Sequence, residues 1–171
     1  SVVSDVGGQT QTQYLWAQDA WRFAPNWKAV VGLRWEDWEA KRGFTQNATQ
    51  SLGYASRSES NFSPKAAISW QATNDTLLRA AIGRAVRYPT TGELYGATSG
   101  GELSFINDPN LRPEKSWTGE ISAEKDLGNG MGIARTTLFH ENLSDALISQ
   151  LVSGTTISRV QNVDRVTTTG L

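Results

Sequence analysis

Trp27-Lys28-Ala29-Val30-Val31-Gly32-Leu33-Arg34-Trp35-Glu36 is the stretch whose reading decides the fold. Taken by alternate residues it separates into Trp27, Ala29, Val31, Leu33 and Trp35 on one parity and Lys28, Val30, Gly32, Arg34 and Glu36 on the other. Successive strand side chains point to opposite faces, so the segment reads as a strand with one apolar side bounded by tryptophan. The same sorting recurs downstream. Phe62, Pro64, Ala66, Ile68 and Trp70 oppose Lys65, Ala67, Ser69 and Gln71, and Trp117, Gly119, Ile121 and Ala123 oppose Ser116, Thr118, Glu120, Ser122 and Glu124.

Strands of this kind are predicted over Tyr14 to Phe23, Trp27 to Trp38, Phe62 to Ala72, Thr76 to Tyr88, Ser116 to Asp126 and Gly132 to Asn142, with a seventh between Thr156 and Leu171. Ala24-Pro25-Asn26, Thr73-Asn74-Asp75 and Leu127-Gly128-Asn129-Gly130 carry turn chemistry and join them into hairpins. Between hairpins the connections Glu39 to Asn61, Pro89 to Lys115 and Leu143 to Thr155 are long and polar. Short and long connections alternate, as they do in an up-and-down transmembrane β-barrel. The fold expected is therefore all-β: an antiparallel up-and-down transmembrane β-barrel segment, about seven strands of a larger barrel.

Composition agrees without deciding. The chain has 171 residues, a net charge of -1, no cysteine, one histidine, seven tryptophans and 16 glycines. Near-neutral charge argues against nucleic acid as a partner. Without thiols there is neither a disulfide framework nor a thiolate zinc site. No apolar run approaches the roughly 18 residues of a membrane-spanning helix, and the first residues lack the layout of a signal peptide. Overall hydropathy resembles that of a soluble protein, but an average over both faces of a strand is blind to a barrel wall.

Depth can be read along each strand, because a tilted strand climbs roughly 2.3 Å per residue through an apolar band about 25 Å tall. Trp21, Phe23, Trp27 and Trp70 then lie beside the short turns, and Trp35, Tyr88 and Trp117 near the far edge. These two belts are the expected lipid-facing girdles. Arg84, about ten residues above its turn, is placed to reach lipid phosphates, and Lys125 to snorkel at the near edge. Asp19 shares the apolar parity, which puts a carboxylate part-way into the lipid band unless a bulge shifts the register. The sixth strand is ambiguous, since Ala134, Thr136, Leu138 and His140 are hardly more apolar than Ile133, Arg135, Thr137 and Phe139.

From Asn61 onward the motifs follow the order of a known family. Phe62-Ser63-Pro64-Lys65, then Leu78-Arg79-Ala80-Ala81-Ile82-Gly83-Arg84-Ala85-Val86-Arg87-Tyr88-Pro89, then Glu93-Leu94-Tyr95, lead to Asn107-Asp108-Pro109-Asn110-Leu111-Arg112-Pro113-Glu114-Lys115-Ser116. Upstream, Tyr14-Leu15-Trp16-Ala17-Gln18-Asp19-Ala20-Trp21 and Val31-Gly32-Leu33-Arg34-Trp35 fit the same pattern. Together they resemble the C-terminal part of a TonB-dependent receptor barrel. The resemblance implies a partial barrel domain over residues 1–171, without a plug domain, in the outer membrane of a Gram-negative bacterium. It implies outer-membrane lipid and a TonB-type energy-coupling protein as partners. The cargo implied is a scarce nutrient such as a ferric siderophore, cobalamin or a glycan. A lone seven-strand sheet would leave two edges unpaired in hydrocarbon at several kcal/mol per group, so the wall of such a barrel, about 22 strands, needs more chain. A passive porin-like barrel and a soluble carbohydrate-binding β-sandwich are the alternatives.

Candidate site residues divide into two groups. Trp38, Arg42, Phe44, Tyr54, Arg57, Tyr95 and Phe105 fall in the long connections, an aromatic and cationic set suited to anionic chelates or aromatic ligands. Arg87, Pro89, Glu93, Asn110, Pro113 and Glu114 belong to the family-like motifs and read as architectural, with Arg87 placed to pair with Glu93 or Glu114. The polar parity carries Lys28, Arg34, Glu36, Lys65, Arg79, Arg87, Glu120 and Glu124, a hydrated wall of ion pairs. No catalytic site is expected: His140 and Glu141 point to opposite faces, and Ser144 and Asp145 do not complete a triad. No cofactor or metal is expected either, and Asp108 near Asn107 and Asn110 reads as turn chemistry rather than a calcium loop.

Overall fold

The computed structural model of the chain describes residues 5–46, 50–96, 108–151, 154 and 158–171. Its strands are β1 (Asp5–Ala24), β2 (Trp27–Gln46), β3 (Ser51–Gly53), β4 (Arg57–Thr73), β5 (Thr76–Arg87), β6 (Glu114–Asp126), β7 (Ile133–Leu151) and β8 (Ser158–Gly170), with one short helix, α1 (Thr91–Tyr95). All strands belong to a single sheet in the order β1-β2-β4-β5-β6-β7-β8, with β3 a short addition to β2. Every pairing is antiparallel, so the chain runs up and down. Among the described residues no second sheet packs on this one, as in a barrel wall, and the β-sandwich alternative does not describe it.

The expected strands are present but longer than the alternation suggested. β1 begins at Asp5 rather than near Tyr14, β2 runs to Gln46 rather than Trp38, and β7 to Leu151 rather than Asn142. The segment Glu39 to Asn61 is thus mostly strand: Trp38, Glu39 and Ala40 pair with Glu59, Ser58 and Arg57. Backbone pairing continues where the apolar alternation stops, because ladder hydrogen bonds need no particular side chain.

Register settles which residues share a face. Residues directly opposite in a ladder point the same way, and Trp35↔Phe62, Leu33↔Pro64, Ala29↔Ile68 and Trp27↔Trp70 join β2 to β4. Ile68↔Ala80↔Ile121↔Leu138 carries that apolar row across to β7. The sixth expected strand is thereby oriented: Leu138 and His140 lie on the apolar face, opposite Ile121 and Gly119. Asp19 also stays there, directly opposite Val31; the nearby irregularity falls at Arg22 to Ala24 and does not move it. Its carboxylate accepts the Ala20 N–H at 2.8 Å.

Two details explain local shape. The β4–β5 ladder ends at Lys65↔Gly83, one residue short of Pro64, whose nitrogen has no hydrogen to give. Arg84 fills the gap by donating to the Phe62 carbonyl and, at 3.3 Å, to Asn61 Oδ1. Arg84 is thus tied to β4 through both terminal guanidinium nitrogens. In β2, Arg42 adopts a left-handed φ of 54° outside the β1–β2 pairing, and the buried positions shift from Glu36, Trp38 and Ala40 to Gly43 and Thr45.

Candidate functional site

The buried core lies on the polar face, near the long-connection end. It consists of Trp38, Ala40, Leu94, Tyr95 and Leu111, with Tyr54, Tyr88, Leu147 and Val160 packed against it. The described parts of the β5–β6 connection, 88–96 and 108–113, supply Leu94, Tyr95 and Leu111, and with α1 against β1 and β2 they lie on the sheet as a strap.

The strap is anchored by its sequence. Thr90 caps α1: its hydroxyl accepts from Glu93 N–H at 3.3 Å, and the Glu93 carboxylate accepts from Thr90 N–H at 2.8 Å. Arg87 reaches the same carboxylate at 2.6 Å. Burial works against the Glu93 anion, but the Thr90 and Arg87 hydrogen bonds outweigh it and hold the carboxyl below its ordinary range. Tyr95 then lies against backbone that has no side chains, since a Cβ at Gly43 would sit 2.3 Å from its ring and one at Gly8 2.6 Å.

The motif from Asn110 to Glu114 is a clamp. Asn110 N–H donates to Asp108 Oδ1 at 2.8 Å, an Asx turn as expected. The Leu111 carbonyl accepts from Arg57, which also donates to the Pro109 carbonyl at 3.0 Å and stands 5.2 Å over the Trp38 ring. Arg112 pairs with Asp145 at 2.7 Å. Pro89 and Pro113 are fully buried. Glu114 accepts the Leu147 N–H at 2.9 Å, just past the point where β7 breaks register at Asp145. Of the two partners open to Arg87, Glu93 is the one taken.

The loop candidates do not form one open site. Trp38 and Tyr95 are 1% and 2% exposed, and Tyr54 stacks on Tyr95 at 5.3 Å. Trp38 and Tyr95 thus belong to the buried core, while Tyr54 and Arg57, half-buried, pack against it. Arg42 is exposed and Phe44 half-buried. Phe105 lies outside the described residues. What remains open is a cavity of about 760 Å³ bounded by Tyr54, Asn110, Arg112, Arg159, Gln161 and Asn162. Its lining also includes the Asp108 carboxylate, and Arg112 is already paired with Asp145, so the mixture of amides and charges suits a hydroxyl-rich ligand.

Elsewhere the polar face is a wall of paired charges. Arg34 meets Glu36 at 2.9 Å, and Glu124 lies between Arg79 at 3.0 Å and Arg135 at 2.9 Å. Lys28, Lys65 and Glu120 make no ion pair among the described residues. The parity reading passed over two aromatics on this face, Tyr14 and Trp16, which are 54% and 66% exposed. Their signal was their parity: Trp16 is opposite Arg34, Tyr14 opposite Glu36.

On the apolar face Trp27 and Trp70 stack at 5.3 Å beside the short turns, with Phe23 6.0 Å from Trp27. Trp21 is opposite Ala29, Trp35 opposite Phe62, and Trp117 opposite Arg84. Tyr88 departs from the expected girdle. It lies past the end of β5, stacks on Trp38 and meets Asn61 Nδ2 at 3.3 Å, on the strap side. Lys125 pairs with Asp75 in the β4–β5 turn at 2.8 Å; that hydrogen bond, with those from Thr73 and Thr76, keeps the Asp75 carboxyl well below its usual range. His140 Nδ1 lies 2.8 Å from the Thr169 hydroxyl, and no His, Asp or Glu cluster fit for a metal exists among the described residues.

Known structures share this arrangement. The copper transporter OprC aligns with a TM-score of 0.75 at 17% identity, over 92% of this chain and 25% of that one. A double mutant of the Serratia marcescens hemophore receptor HasR, in complex with HasA and heme, aligns at 0.76 and 14%, over 95% and 31%. The alcaligin outer-membrane receptor FauA of Bordetella pertussis aligns at 0.57 and 17%, over 96% and 26%. The chain thus spans about a quarter to a third of their length. No curated protein sequence is a match. The family model described as TonB dependent receptor-like, beta-barrel covers residues 2–171, and the chain, with its single up-and-down sheet, belongs to that family of receptor barrels.

Proposed function

We propose that this chain is part of the wall of an outer-membrane receptor of a Gram-negative bacterium, one that takes up a scarce nutrient through a TonB-type energy-coupling protein. The observation that carries this is the two-faced sheet, apolar and belted by tryptophan on one side, charged and strapped on the other. An apolar wall of this kind belongs against acyl chains, while the polar wall lines a passage. Its role is binding and transport rather than catalysis. The cargo is a scarce nutrient such as a ferric siderophore; the likeness to the alcaligin receptor FauA supports that class.

The test is uptake by cells carrying the full-length receptor, with and without an uncoupler. Energised transport predicts that accumulation of a radiolabelled ferric chelate stops when the proton gradient collapses. Uptake that continues unchanged would favour the passive, porin-like alternative.

A further inference from the structure

Asp19 stands on the apolar parity of β1, between Ala17 and Trp21, directly opposite Val31 of β2. It lies five residues from the end of β1 at Ala24. At roughly 2.3 Å per residue that is about 12 Å up an apolar band about 25 Å tall, at mid-depth. A carboxylate at that depth on the lipid side is costly, and such a group is kept where a partner meets it. Carboxylates toward the two ends of the band have partners. Asp37, beyond Trp35, takes the Ser60 hydroxyl at 2.6 Å, and Asp75, in the β4–β5 turn, takes Lys125 at 2.8 Å.

The β2 side offers Asp19 nothing of the kind. Val31 is opposite, and Ala29 and Leu33, its neighbours on that face, are apolar too. No cation pairs with Asp19 among the described residues. Its carboxylate accepts the Ala20 N–H at 2.8 Å, and that bond gives a direction. The backbone N–H groups of a strand point to its two sides in turn. One given to a side chain of its own strand is not given to β2, so Ala20 N–H and the carboxylate over it turn to the other side. There β1, first in the sheet order, meets no strand among the described residues.

We infer that Asp19 pairs, inside the apolar band, with an arginine or lysine on the strand that meets the free edge of β1 in the closed wall. A cation opposite Asp19 leaves neither charge alone in hydrocarbon. The pair also sets the register of that seam. A slip by two residues keeps apolar faces aligned, since strand side chains repeat every two, but it strands both charges without partners. Asp19 is thus a positioning residue for closure of the barrel. This inference rests on the lipid-facing reading of the sheet and is independent of the cargo.

The test uses the full-length receptor. Asp19→Cys is combined in turn with single cysteines along the neighbouring strand, and the highest disulfide yield marks the residue opposite, which is arginine or lysine in the unaltered sequence. Asp19→Lys lowers the folded fraction, read as heat-modifiable migration, about tenfold or more. Replacing the opposite cation by aspartate in that background restores it. Asp19→Leu folds, but its cross-links from Ala17→Cys spread to positions two residues away. A neutral or acidic residue at the site of highest yield, or a reversed pair that folds no better than Asp19→Lys alone, overturns the pair. A version whose one tryptophan is Trp21, in bilayers of bromine-labelled lipid, tests the lipid face separately. Quenching of Trp21 without an opposite cation removes the pair alone, and absence of quenching removes the lipid-facing reading.

Discussion

The rings of Trp38 and Tyr88 stack 5.5 Å apart and 11° from parallel, joining the long end of β2 to the exit of β5 beneath the strap. The pair turns Tyr88 away from the belt where its parity would place it. Tyr88→Ala removes the stack and lowers stability by about 2–4 kcal/mol, while Tyr88→Phe keeps it and costs about 1 kcal/mol for the contact with Asn61. Thermal unfolding in micelles, followed by loss of heat-modifiable migration, ranks the two. Equal losses would contradict a stacking role.

Gly43 and Tyr95 give a second test. Gly43→Ala introduces a methyl into the Tyr95 ring, so α1 must lift from the sheet. Protease cleavage within α1 rises in Gly43→Ala, and Tyr95→Ala relieves the clash, so the double variant is no worse than Tyr95→Ala alone. Additive effects would show that the two residues do not meet.

The strap also has a pH dependence with a definite sign. The Glu93 carboxyl is held below its ordinary value of 4.5, and a group depressed by folding adds stability at pH above its unfolded pKa. That stability is lost as pH falls through the lower, folded pKa. The strap is therefore firm at pH 5 and above and loosens below about pH 4.5. Hydrogen exchange of the α1 amides across that range shows the loosening, and Glu93→Gln abolishes the dependence while raising exchange at neutral pH.

Asn162 is a small keystone between strap and wall. It accepts from Arg112 N–H at 2.8 Å and donates to the Arg112 carbonyl at 2.9 Å and the Asp145 carbonyl at 2.8 Å. Asn162→Ala leaves three backbone groups without these partners and costs about 1–3 kcal/mol, less if water replaces them. Faster exchange of the Arg112 amide is the expected signature.

These contacts show what alternation reveals and what it hides. The apolar rows from Trp27 to Trp35 and from Phe62 to Trp70 were legible because one face excludes polar groups over a whole strand. The polar extensions, such as Gln9 to Gln13 and Glu39 to Gln46, were not, since neither carries an apolar alternation. That Arg87 pairs with Glu93 or Glu114 was legible from the motif, and which of the two it takes was not. The burial of Trp38 and Tyr95 was not, because it depends on a strap that returns over β1 and β2, a contact some 50 residues distant in sequence. Trp16 was overlooked because an aromatic residue on the polar parity has no place in a two-face pattern.

Everything depends on which medium each face meets. Single-tryptophan versions of the full-length receptor, reconstituted in bilayers of bromine-labelled lipid, measure that directly. Trp27, Trp70 and Trp117 should lose most of their emission, with Trp117 quenched by labels at a different depth from Trp27, while Trp16 and Trp38 keep theirs. Emission from Trp27, Trp70 and Trp117 that is as indifferent to the label as that of Trp38 would contradict the account.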